Sequence, residues 1–123
     1  MPHRDQCGFT LLEVIVALAI VATTLTAMTQ IFSGGFRNAV TAKNYLSALV
    51  RAESEMARLG TELPLTPGEA RGNFGDGMRW ERIVKVESRS RSLTAYEATV
   101  RVSFDDGRRN VSLTTLKLAD GFR

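Results

Sequence analysis

The sequence predicts an α+β fold: one long N-terminal helix packed on a small antiparallel sheet of about three to four strands. Three observations carry this expectation. From Leu11 to Phe32 the only ionisable residue is Glu13, so the run is apolar over a membrane-spanning length. From Phe36 to Leu59 apolar residues return at helical spacing, and from Arg79 onwards apolar and polar residues alternate as in half-buried strands.

At ~1.5 Å rise per residue, a helix over Leu11 to Phe32 is roughly 30 Å long, which matches a bilayer's hydrocarbon core. Residues 9–33 are therefore expected to cross a membrane. Thr23, Thr24, Thr26, Thr29 and Gln30 make the second half less apolar, so the outer end is expected to pack against protein as well. Glu13 is the anomaly, since a carboxylate inside a membrane is costly and points to function. No Lys or Arg falls inside the run, which excludes an ion pair at i, i+4 spacing. Two readings remain open: the carboxylate snorkels to the headgroups, or it meets a partner on a second chain.

Gly34-Gly35 each cost about 1 kcal/mol relative to Ala inside a helix, so a bend or break is expected there. The helix resumes over 36–59 as an amphipathic stem. Phe36, Val40, Leu46, Leu49, Val50, Met56 and Leu59 form its apolar stripe, read as core packing, while Arg37, Lys43, Arg51 and Glu55 occupy other faces. Gly60 is the stop signal. Residues 60–78, with Pro64, Pro67, Gly68, Gly72, Gly75 and Gly77, read as a loop. Asp76 sits there between two glycines, but the alternating oxygen ligands of a calcium loop are missing from the sequence.

The sheet is expected over 79–118. Trp80, Val84 and Val86 share one parity in the first strand, with Arg82 breaking the pattern. Tyr96, Ala98, Val100, Val102 and Phe104 give the clearest alternation, and Asp105-Asp106-Gly107 makes a tight hairpin turn. In the return strand Val111 and Leu113 lie on one parity and Leu116 and Leu118 on the other, which predicts a bulge near Thr114-Thr115.

Sixteen Lys and Arg against thirteen Asp and Glu give a net charge of +3, too diffuse to specify a partner, and nucleic acid is not expected as one. Arg89, Arg91, Arg108 and Arg109 read as solvated protection of strand ends. The only histidine is His3 and the only cysteine is Cys7, so neither a Ser-His-Asp set nor a thiol enzyme can be assembled from the rest. The chain is not expected to be an enzyme or to hold a cofactor or metal; His3 and Asp5 read as solvated residues. Cys7 does not read as a lipid-anchor site, because the polar MPHRDQ precedes it. A signal peptide would instead be cut after the apolar run, near Ala22 or Ala27.

The junction Gly8-Phe9, followed by Thr10-Leu11-Leu12-Glu13-Val14, resembles the processing site of type IV pilin-like proteins. The resemblance implies a leader of residues 1–8, cleavage by a prepilin peptidase between Gly8 and Phe9, and N-methylation of Phe9. It also implies that Glu13 pairs with the Phe9 amine of a neighbouring subunit. A carboxylate and an ammonium in one apolar site satisfy each other, whereas either alone is an uncompensated charge. The rest of the chain, 34–123, is small, has no cysteine pair and places Trp80 after a Pro/Gly loop, and so looks most like the minor pseudopilin I of type II (general) secretion. That likeness implies a single-pass inner-membrane protein with its N-terminus cytoplasmic and a periplasmic domain. It implies partners too: other minor pseudopilins of a tip complex, the major pseudopilin and the inner-membrane secretion platform. The alternatives are a minor pilin of a type IV pilus and a solitary bitopic anchor or binding protein.

Overall fold

The computed structural model describes residues 8–120. Met1 to Cys7 lie outside the described residues, and with them His3, Asp5 and all but the last residue of the expected leader. The elements run α1 (Leu11–Arg58), β1 (Gly68–Asn73), β2 (Arg79–Arg89), β3 (Leu93–Phe104) and β4 (Arg109–Asp120). This is the α+β, type IV pilin-like arrangement expected of the sequence. The chain divides at Val40/Thr41 into two compact units.

In the first unit every residue from Gly8 to Val40 is exposed. The helix is long and apolar enough to cross a membrane. Its threonines are less polar than their names, because the hydroxyls of Thr23, Thr24, Thr26 and Thr29 all donate to carbonyls one turn back, at 2.8–3.1 Å. A hydroxyl satisfied by its own backbone offers little to lipid or to a partner. No break lies at Gly34-Gly35: α1 runs through both glycines. Propagation adds one hydrogen bond per residue to a helix already nucleated on either side, and this offsets their intrinsic cost.

In the second unit β1 to β4 form one antiparallel sheet in sequence order. The stem of α1 packs on one face. Ala48, Ala52 and Leu59 from the helix side meet Val84, Ala98, Val100, Val102 and Phe104 of the sheet and Met78 beside it. Burying side chains such as Leu59, Val100 and Val102 stabilises the unit by ~1.5–3 kcal/mol each. Tyr45 meets Phe104 edge-on, with ring centroids 4.9 Å apart.

This corrects part of the expected stripe: Leu59 is buried and Met56 packs against the core, but the closest approach to the sheet is made by small residues, because alanines at 48 and 52 allow the helix to lie close. Leu46 and Val50, and Phe36 and Val40 in the first unit, remain exposed. Glu55, assigned by its charge to another face, is buried.

Two further expectations change. The segment 60–78 is not all loop: β1 pairs with the edge of β2, from Gly68 opposite Val84 to Asn73 opposite Arg79. The prolines precede the strand and Gly75 and Gly77 follow it, while Gly72 serves it by lacking a Cβ, which would collide with the Trp80 indole. The register of β3 with β4 is unbroken, so no bulge lies at Thr114-Thr115; the irregularity is in β2, between Val86 and Ser88. Leu116 and Leu118 simply face outward, exposed, and the intervening Lys117 turns inward. Its ammonium donates to the carbonyls of Met56 (2.7 Å) and Leu59 (2.5 Å), which satisfies acceptors left open at the end of α1. The hairpin turn is as expected, with Asp105, Asp106 and Gly107 all at left-handed φ.

Candidate functional site

The junction singled out in the sequence lies at the start of α1. The Thr10 carbonyl accepts the first helical hydrogen bond, from the Val14 N–H at 3.2 Å, which makes Thr10 the N-cap. Its hydroxyl accepts the Glu13 N–H at 3.2 Å, and Glu13 Oε2 in turn accepts the Thr10 N–H at 3.2 Å. This reciprocal pair is a capping box, and it satisfies two backbone donors that the first turn would leave open. Glu13 therefore has a partner in its own chain. That role was legible in the sequence as Thr-x-x-Glu at a helix start, but Glu13 was read only for charge partners, so Thr10 was missed.

Among the described residues no hydrogen bond reaches Glu13 Oε1 and no basic group lies within ion-pair distance of the carboxylate. The surroundings are an open groove of about 650 Å³, lined by Phe9, Glu13, Val14, Ala17, Leu18 and Val21. Glu13 is its only ionisable lining residue. The structure thus brings Phe9 and Glu13 to one groove. Gly8 adjoins Phe9, and among the described residues an added Cβ there would meet nothing within 4 Å.

The other charged clusters hold the second unit together. Asp76 takes the Arg51 guanidinium on both oxygens, at 2.8 and 2.5 Å, and Arg51 also lies over the Phe74 ring at 4.9 Å. The Arg51 hydrogen bonds hold the Asp76 carboxyl below the usual carboxylate range, and they raise Arg51 in turn. With both oxygens engaged, Asp76 is a clamp between stem and loop. Arg82, the break in the β2 pattern, points inward with its Nη1 3.6 Å from Glu55 Oε2 and its guanidinium over Trp80. Glu55 Oε1 accepts Arg58 Nη1 at 3.0 Å. Arg109, at the start of β4, faces Asp105 at 3.6 Å.

Comparison with known proteins agrees with the motif. The family described as "Prokaryotic N-terminal methylation motif" matches residues 3–29. The chain is 39% identical over 83 residues to a type II secretion system protein I from Xanthomonas campestris pv. campestris. That match covers 67% of this chain and 60% of the relative's length. No solved structure matches the chain. The chain thus carries the prokaryotic N-terminal methylation motif and is similar over 67% of its length to a type II secretion system protein I.

Proposed function

We propose that this chain is a minor pseudopilin of a type II secretion system, a structural subunit of a tip complex that primes a periplasmic fibre for export of folded proteins. The observation that carries the reading is the groove at the start of α1. It is apolar and exposed in the single chain, and it holds one carboxylate, Glu13, with an oxygen free. Inside a membrane such a carboxylate is costly unless it is answered, and an ammonium from another chain supplies the answering charge under this reading.

Under this reading prepilin peptidase cuts between Gly8 and Phe9, and the new Phe9 amine, methylated, meets Glu13 of a neighbour. The open position of Gly8 supports this, because its missing side chain then serves a protease that must approach the backbone closely. The helix from Phe9 anchors the subunit in the inner membrane, with the N-terminus cytoplasmic and the second unit periplasmic. Leu46 and Val50, exposed on the stem, suit packing against helices of the other minor pseudopilins and the major pseudopilin. The protein acts as a scaffold and carries out no catalysis.

Processing tests the reading first. Intact mass of the membrane-extracted protein is expected to fit a chain that begins at Phe9 and carries one methyl group. A chain that still begins at Met1, or one that begins after Ala22, contradicts it.

A further inference from the structure

We infer that Thr10 is a positioning residue for subunit assembly: through the reciprocal hydrogen bonds with Glu13 it fixes the carboxylate so that Oε1 is presented to the ammonium of a second subunit. The inference rests on the pairing proposed above and adds to it the residue that aims the acid.

The geometry divides the work of the carboxylate between its two oxygens. Oε2 is held by the Thr10 N–H at 3.2 Å, and the backbone beneath it is held by the Thr10 hydroxyl at the same distance. Among the described residues Oε1 has no such bond, and the groove around it is lined by Phe9, Val14, Ala17, Leu18 and Val21. A free glutamate side chain has several rotamers, and some of them carry the charge away from the groove; ordering it costs entropy at the moment of association. The capping box meets that cost before the neighbour arrives. A plain N-cap would stabilise the first turn and nothing else. The difference here is that the box closes on the one side chain of the groove that carries charge.

The two explanations separate in a double-mutant cycle on the full chain in membranes, scored by the yield of crosslinks to the partner pseudopilins at matched abundance. The variants are Thr10→Ser, Thr10→Val, Glu13→Leu and the Thr10→Val/Glu13→Leu pair. Thr10→Ser keeps the hydroxyl and is expected to crosslink as the parent does. Thr10→Val keeps the shape and loses the acceptor; it is expected to be cleaved normally and to crosslink about fivefold less, the equivalent of ~1 kcal/mol. The pair is expected to be no worse than Glu13→Leu alone, because the Thr10 hydroxyl holds the backbone of Glu13 and acts on assembly only by placing that side chain. Additive losses, full crosslinking by Thr10→Val, or failure of Thr10→Val to be cleaved would each overturn the inference. Normal crosslinking by Glu13→Leu would instead remove the pairing on which it rests.

Discussion

Glu13 and Glu55 both sit among apolar side chains, and their surroundings answer them differently. Glu55 is neutralised within its own chain, by Arg58 at 3.0 Å and by Arg82 at 3.6 Å from across the core. Glu55→Ala leaves the Arg82 guanidinium without its counter-charge where its side chain is only 17% exposed, and is expected to cost ~3–5 kcal/mol in a denaturant titration. Arg82 was visible in the sequence as a charge on the apolar parity of a strand. Its partner was not, because a helical glutamate far along the chain is indistinguishable by pattern from its exposed neighbours. Asp76 gives a pH signature. Its folded-state pKa is depressed, so its contribution is fully present above the unfolded value and is lost as pH falls through the lowered folded value. Unfolding midpoints measured between pH 7 and pH 2 are expected to fall more steeply below about pH 4 in the parent than in Asp76→Asn. Parallel curves would show that the Arg51 clamp contributes nothing.

At the scale of elements, the long helix and the alternating strands β2 and β3 were legible because burial imposes a period on them. The exceptions share a cause, which is that the chain satisfied a backbone or a charge through a distant contact. β1 is a strand despite Gly68 and Gly72, because β2 offers it an edge and Trp80 needs the room at Gly72. β4 keeps its register through Lys117 because a lysine can face inward when the carbonyls ending α1 receive its ammonium. The stem differs in cause: Leu46 and Val50 have helical spacing, yet Ala48 and Ala52 face the sheet because small side chains allow close approach. Leu46 and Val50 are thereby left 62% and 56% exposed. Leu46→Ser with Val50→Ser is expected to change folding stability by no more than about 0.5 kcal/mol per site. The same pair is expected to weaken crosslinking to partner subunits. A loss of stability matched by normal association would mean that the exposed face is not an interface.

For the whole molecule, the two units divide the work. The second unit has its own buried core, its Glu55 is answered by Arg58 and Arg82, and Lys117 donates to the carbonyls at the end of α1. Among the described residues the first unit buries none as far as Val40, and its Glu13 carboxylate has one oxygen without a hydrogen bond. A bilayer covers apolar side chains, and on the function proposed above a neighbouring subunit supplies the ammonium that answers the carboxylate. The account therefore turns on Glu13. The most direct measurement is secretion in a strain that lacks the native protein, complemented with Glu13→Leu, with membrane abundance and N-terminal mass checked for the variant. Loss of one member of a buried charge pair costs ~3–5 kcal/mol, more than a hundredfold in an association constant. The account predicts that Glu13→Leu is cleaved and inserted normally yet fails to support secretion. Full secretion by Glu13→Leu at normal abundance would contradict it.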